Sequence, residues 1–300
     1  MTHIRHKERI YSMEAFYKEI GTSRQLVWQM VKRENAEKVV EDKIVDLVCE
    51  WRKIHPQMGS RSLYYTLQNH AGIELSIGVN KFETLMRDRG LLVKRNKKWT
   101  KTSDGLGKEN YPNLISGIGI NGINQVIVGD ITYYPLESYH AYIFTLKDAY
   151  SQRILGLLPS VTMEAGVGLQ CLQNAIHIRK EVNLKGCIHH TDNGSQYNAQ
   201  IYKNRLVNVG MKISRATNCL ENGSAENLNG LIKNSYLKPW QISTFTQLQK
   251  ACKELIHISN EQRAIHDLGY LSPVKFEELI AELPVSERPI KYLHDFENQI

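Results

Sequence analysis

Three β-prone runs follow one another with only short turns between them: QVIVGDITYY (125–134), YHAYIFTLKDAY (139–150) and RILGLLPSV (153–161). Runs rich in Val, Ile, Tyr and Phe, bounded by turn residues, read as strands, and connections this short make them antiparallel neighbours. The pattern then changes to alternation. MEAGVGLQCLQNAIHIRKEV (163–182) reads as a helix, GCIHHT (186–191) as a short buried strand, AQIYKNRLVNVG (199–210) as a helix and MKISRA (211–216) as a strand. Helices are expected over 222–237 and 244–262. A hairpin-linked triplet followed by helix–strand alternation restricts this part of the chain to a mixed α/β sheet.

The first third has no such strands. Residues 12–34 read as two short helices around Gly21-Thr22-Ser23, with Ser23 as the cap of the second. Leu26, Val27, Met30 and Val31 recur at helical spacing, while Arg24, Gln25, Trp28, Lys32 and Arg33 lie elsewhere on the surface. This pattern matches a helix-turn-helix, whose second helix enters the major groove of DNA, although short helical hairpins are also common as plain structure. A helix over 39–54 and two more around Leu63, Tyr64, Leu67 and Val79, Phe82, Leu85, Met86 give a second small all-α unit. It carries Arg61, Lys81, Arg87 and Arg89, and reads either as a DNA-binding unit or as a bundle with basic edges. Residues 94–119 are polar, basic and Gly-rich and read as a linker, whose Lys94, Arg95, Lys97 and Lys98 suit a phosphate backbone. The expected organisation is a helix-turn-helix at 1–36, a second helical unit at 37–93, a basic linker at 94–119, a mixed-sheet core at 120–285 and a tail at 286–300.

Charge follows this division. Residues 1–110 hold 21 Lys+Arg against 14 Asp+Glu, so the whole formal excess of +7 sits there; the rest of the chain has 17 of each. A basic module beside a neutral one points to a polyanionic partner, double-stranded DNA, unless the excess is only a solvated surface. No apolar run approaches bilayer length, and the basic N-terminus lacks the apolar segment of a secretory signal. Five scattered cysteines, no two at zinc-ligand spacing, predict a reduced, cytoplasmic protein.

Three acids stand out. Asp130 lies mid-strand in VGDITYY, Asp192 ends the fourth strand in HHTDNGSQY, and Glu226 lies one turn into the helix of ENGSAENLNGLIKNSY. Singly, each has an ordinary reading: a paired core acid, a turn residue before Asn193-Gly194, an exposed helix acid. Together they converge, because the first and fourth strands can lie side by side and a helix crossing their edge brings the third carboxylate. Such a cluster repels itself and calls for divalent cations. Hard oxygen donors suit Mg²⁺ or Mn²⁺, and a pair of ions would activate a water or 3′-hydroxyl at a phosphodiester. Asn193 and Gln196 are expected to orient Asp192 or meet a phosphate, or to serve the turn alone. Lys233 suits a phosphate or is merely solvated. Of His189 and His190, one is expected inside and the other near the metal edge, neither as a ligand. Tyr133 and Tyr134 read as base-stacking candidates or as sheet packing.

These motifs also resemble those of bacterial insertion-sequence transposases of the retroviral-integrase superfamily, of the OrfB type. VGDITYY is similar to the first-acid motif; LKDAYSQRILG matches an Asp-x-x-Ser-x-x-Ile-x-Gly segment through Asp148, Ser151, Ile154 and Gly156; HHTDNGSQY is the most specific match. ENGSAENLNGLIKNSYL resembles the third-acid helix, with Lys233 two turns beyond Glu226, and LGYLSPVKFEE (268–278) resembles the closing motif, where a Pro-containing turn ends the fold. The chain departs from the pattern with Val128 in place of Trp, a slightly short interval between the second and third acids, and Glu221-Asn222-Gly223 where Asp-Asn-Ala is usual. Glu221 is therefore a rival third acid. Glu226 is preferred because it shares a helix face with Asn222 and Lys233.

The resemblance implies a ribonuclease-H-like mixed-sheet catalytic core preceded by small all-α helix-turn-helix units. It implies a transposase that cleaves phosphodiesters and transfers strands, with Asp130, Asp192 and Glu226 holding two Mg²⁺ or Mn²⁺. Its expected partners are the element's terminal repeats and target DNA, further copies of the chain in a homo-multimer on that DNA, and a separate upstream helix-turn-helix protein if the chain does not act alone. A bacterial, nucleoid-associated location follows. The alternatives are a ribonuclease-H-like nuclease that cuts without joining, and a decayed transposase that only binds DNA.

Overall fold

The computed structural model describes residues 13–70, 72–94, 111–216 and 219–293. They fall into two compact units, Met1–Trp51 and Arg52–Ile300. In the first, α1 (Met13–Glu19) is followed by α2 (Arg24–Ile54), which begins under the expected cap: the Leu26 amide donates to Ser23 Oγ at 3.1 Å. The helices expected at about 24–34 and 39–54 are one, of 31 residues. The bridging sequence RENAEK contains no Gly or Pro and is mostly good helix formers, so nothing stops the helix there.

The second unit is built on a five-stranded sheet. Its strands are β2 (Val126–Pro135), β3 (His140–Asp148), β4 (Ile154–Ser160), β5 (Ile188–Thr191) and β6 (Lys212–Arg215), in the order β4-β3-β2-β5-β6. The first three pair antiparallel as hairpins, and β5 and β6 join parallel to β2. The β2–β5 ladder is short, covering only Val126–Val128 against Ile188–His190. This is the mixed sheet of a ribonuclease-H-like fold.

Helices cover both faces. On one, α5 (Ala165–Arg179), the short α6 (Ser195–Asn198) and α7 (Gln200–Val209) pack on Ile127, Phe144, Leu146 and Leu155. Gly156 lets α5 come close: a Cβ there would sit 2.5 Å from Cys171 Sγ. On the other, α8 (Gly223–Gly230) runs into a π-helical segment, Leu231–Leu237, and packs with α9 (Phe245–His257) on Tyr134, Ile143 and Leu157. A third cluster joins Val126, Val128 and Tyr150 to Phe276 and Ile280 of α10 (Pro273–Glu282).

Two stretches are more ordered than their composition suggests. Part of the expected linker folds onto the sheet: Ile115 is fully buried, the Leu114 amide donates to Ser214 Oγ at 2.9 Å, and Gly119–Ile120 (β1) pairs with Lys291–Tyr292 (β7). The Pro-containing stretch expected to end the fold as a turn instead opens a helix. Ser272 caps α10 and Pro273 takes a first-turn position, where its missing N–H costs nothing. In the helical part of this unit, α3 (Ser60–Gln68) and α4 (Val79–Asp88) meet through Tyr64 and Phe82. α3 also docks on the core: Tyr65 stacks on Tyr270 at 4.1 Å, and the Ala264 amide donates to Thr66 Oγ1.

Candidate active site

The parallel register brings two acids to one edge. Ile127 faces His189 and Val128 faces His190; carried two residues further, the same register sets Asp130 beside Asp192, just where β5 stops. Asp192 turns the chain away through its own side chain, since Oδ1 accepts the Gly194 amide at 3.1 Å. The turn contact and a place at the strand tip coexist in one residue. Both histidines before it are fully buried. His189 Nε2 lies 2.9 Å from the Tyr202 hydroxyl and His190 Nδ1 lies 2.8 Å from Ser214 Oγ. The expectation that one would approach the metal edge is therefore corrected: strand alternation sends the two to opposite faces, and both faces are covered.

Helix α8 is fastened along β2 and β3 by polar contacts. Asn222 Nδ2 donates to the Gly129 carbonyl at 3.3 Å, and Asn229 Nδ2 donates to Asp130 Oδ2 at 2.6 Å. The Thr145 hydroxyl lies 3.1 Å from the Asp130 carbonyl and 3.3 Å from Asn229 Oδ1, and its one hydrogen serves either. Lys147, 5% exposed, sends Nζ to the Ser224 carbonyl at 3.0 Å and to Gln152 at 2.8 Å. Lys233 Nζ donates to Thr132 Oγ1 at 2.7 Å. Ala225, Leu228 and Asn229 face inward, so Glu226 is left on the exposed side of the helix. Glu221 lies in the 3₁₀ turn Cys219–Asn222 that precedes α8.

Electrostatics reflect the convergence. Burial pushes the Asp130 carboxyl up to about 7, and the negative charges of Asp192 and Glu226 add to the rise; the Ile131 amide and Lys233 oppose it. Asp192 is exposed as a whole residue, yet partial burial of its carboxyl raises it, against the Gly194 amide and the charge of Arg215. Arg215 is itself fully buried, donating to the Tyr197 carbonyl at 2.8 Å. Burial holds the Lys147 ammonium down at about 7. Among the described residues, no three His, Cys, Asp or Glu side chains close on a common point. The arrangement is an open one: one largely enclosed carboxylate and two others near enough to repel it.

The expected DNA-contacting residues are dispersed. Arg24, Gln25, Trp28, Lys32 and Arg33 are exposed on α2, with Lys32 over the Trp28 ring and Arg33 paired with Glu37. Arg61 pairs with Glu83 at 2.8 Å, joining α3 to α4. Lys81, Arg87 and Lys94 are exposed; Arg95, Lys97 and Lys98 lie outside the described residues. Asn193 Oδ1 accepts from Asn198 Nδ2 at 2.9 Å, which gives it a turn contact, and Gln196 is half-buried beside it. Asn229 and Lys147 were not singled out from the sequence. Asn229 had a signal, lying one turn beyond Glu226 among the buried positions of the helix; Lys147, a lysine in an apolar strand, had none that names its partner.

The Integrase core domain family matches residues 121–218, a span that holds Asp130 and Asp192 and stops short of Glu226. A Mycobacterium tuberculosis protein named as a transposase for insertion sequence element IS986/IS6110 is 29% identical over 73% of this chain and 81% of its own length. The transposase for IS904 of Lactococcus lactis is 31% identical over 56% of this chain and 67% of its own. Among solved structures, the HTLV-2 integrase catalytic core domain in complex with magnesium aligns with 55% of this chain and 99% of its own, with TM-score 0.42 and 18% identity. With this family match and these relatives, and with the acids borne on this strand order, the chain belongs to the insertion-sequence transposases of the integrase superfamily.

Proposed function

We propose that this transposase cuts phosphodiesters at the ends of its element and joins the freed 3′-hydroxyls to target DNA, using Asp130, Asp192 and Glu226. The observation that carries the reading is the parallel β2–β5 register, which sets Asp130 beside Asp192 at the end of β5; the raised Asp130 carboxyl, due first to burial and then to the charges of Asp192 and Glu226, agrees with it. Mutually repelling carboxylates with hard oxygen donors and no thiol or imidazole among them fit Mg²⁺ or Mn²⁺. Bound there, divalent cations supply Lewis acidity to the phosphate and lower the pKa of the attacking hydroxyl.

The chain's own residues do the positioning. Asn229 and the Ile131 amide fix the Asp130 carboxylate between them, the first donating to Oδ2 and the second to Oδ1. Lys147 and Asn222 hold the first turn of α8 to the sheet, which sets the height of Glu226. Lys233 places a cation near the Asp130 side chain for a phosphate oxygen. Arg24, Gln25, Trp28, Lys32 and Arg33 on α2 serve the element's ends in a major groove, and Arg61, Lys81, Arg87 and the basic residues 94–98 serve the phosphate backbone. Two ends must be held together for joining, so the working form is a homo-multimer on DNA.

A strand-transfer assay tests this. The full chain is given DNA carrying the ends that flank its gene, with Mg²⁺ or Mn²⁺, beside Asp130→Asn, Asp192→Asn and Glu226→Gln. Joined products from the wild type and none from the three variants are expected. Cutting without joining by the wild type would make it a nuclease. Activity in Glu226→Gln would transfer the third role to Glu221.

A further inference from the structure

We propose that Tyr133 is a stacking platform for an unpaired nucleobase of the DNA strand held at the acids; this rests on the transposase reading for its biological role. Because β5 pairs with β2 only as far as Val128, the edge of β2 from Gly129 to Pro135 has no strand beside it among the described residues. Tyr133 lies on this unpaired stretch, with its side chain on the face opposite Asp130 and Thr132. Its neighbour Tyr134 is buried, with its hydroxyl on the Ile242 carbonyl, whereas Tyr133 is 59% exposed.

The ring is exposed but not loose. Lys233 Nζ lies 5.3 Å from its centroid and is tethered to Thr132 Oγ1, while the His140 ring meets its edge at 5.8 Å and 75°. Two neighbours thus fix the ring and leave aromatic surface uncovered, which suits stacking because little side-chain freedom remains to be lost. A base is the fitting ligand. It offers a π-face to the ring, and its own phosphate falls near the Lys233 ammonium. Tyr133 and Asp130 are three residues apart on β2, about 10 Å of backbone, and alternation puts their side chains on opposite faces. Lys233 links them across the unpaired edge, reaching Thr132 on the Asp130 face and the Tyr133 ring alike, so the base belongs to a nucleotide adjoining the phosphate at the acids. A base inside a duplex has both faces stacked, so the one received here is splayed from its pair.

The test uses the full chain in metal-free buffer, where no chemistry intervenes. Duplexes carrying an element end are substituted with 5-iodouracil at single positions around the scissile phosphate, irradiated, and the crosslinked peptides sequenced. A crosslink to Tyr133 from one position or two adjacent ones is expected. In the strand-transfer assay Tyr133→Leu should then be slower on the order of 10–100-fold and Tyr133→Trp near wild type, with both variants keeping the wild-type urea midpoint. Crosslinks that map elsewhere from every position, or wild-type joining by Tyr133→Leu, would overturn the platform. A Tyr133 crosslink in a protein that yields no metal-dependent product would instead uphold the stacking surface and sink the catalytic reading.

Discussion

At the scale of single residues, the site is bought with stability. The Asp130 carboxyl titrates near 7 in the folded chain and near its ordinary 3.8 when unfolded. Between those values the native state holds the proton that the unfolded state has released, so this group lowers stability as pH rises from about 4 to 7. Replacing it with Asn removes the charge and keeps an oxygen for the Ile131 amide, while its NH2 faces the Asn229 amide at a cost that does not vary with pH. In chelator, the stability of Asp130→Asn relative to the wild type should therefore rise by on the order of 2–3 kcal/mol between pH 4 and pH 8, as read from urea midpoints. A gap that does not vary with pH would mean an ordinary carboxyl. Gly156 makes the opposite point, since its missing side chain serves packing alone. Gly156→Ala drives a methyl into Cys171 Sγ and toward the Cys171 carbonyl on α5, and should cost about 1–3 kcal/mol. An unchanged midpoint would show that α5 shifts without strain.

At the scale of elements, α8 matters most, because it carries Glu226 to strands that carry the other acids. Its polar fastening is distributed, and Lys147 holds the first turn. Lys147→Met keeps most of the stem and removes the ammonium. Amide exchange over residues 223–228 should then quicken by about 10-fold, the equivalent of one lost hydrogen bond. Unaltered exchange would mean that Asn222 and Asn229 suffice. Much of this scale was legible beforehand. Period-2 and helical patterns locate β2 to β6, α5, α7 and α9 within a few residues, since each buries a continuous apolar face. What escaped were features decided by distant partners. Residues 111–119 read as linker because they continue a polar, basic stretch and hold Pro112, Gly117 and Gly119, yet Ile115 is buried among residues of α10 and β2. The two histidines could not be assigned to faces without knowing that helices cover both sides of β5. Asp130 stood out because an acid in an apolar strand demands a reason; Asn229, though among the buried positions of its helix, named no partner, because a buried amide is served by many.

At the scale of the whole molecule, two of the resembling motifs turn out to be each other's partners. Asp148 caps its turn by accepting the Tyr150 and Ser151 amides, and pairs with buried Arg179 at 3.2 Å. Glu277, from the closing motif, accepts from Ser151 Oγ and Arg153 at 2.6 Å each and from Arg179 at 2.8 and 2.5 Å. Burial raises Asp148, while hydrogen bonds and positive charge from Arg179 hold Glu277 below the usual carboxylate range despite its burial. Removing one member of such a set leaves the rest uncompensated. Glu277→Gln should therefore destabilise by about 3–5 kcal/mol in urea unfolding, and a chain ending at Leu271 should show no cooperative transition, having also lost Phe276 and Ile280 from the core. A sharp transition in that truncated chain would refute the role given to α10.

The order of this network along the chain has a consequence during synthesis. A ribosome delivers Asp130, Asp192 and Glu226 well before Glu277. Until α10 emerges and docks, Arg179 and Asp148 lack the partner that balances them and the third cluster stays open. A nascent or prematurely terminated chain would thus carry Asp130, Asp192 and Glu226 without the packing that α10 supplies beneath β2 and α8.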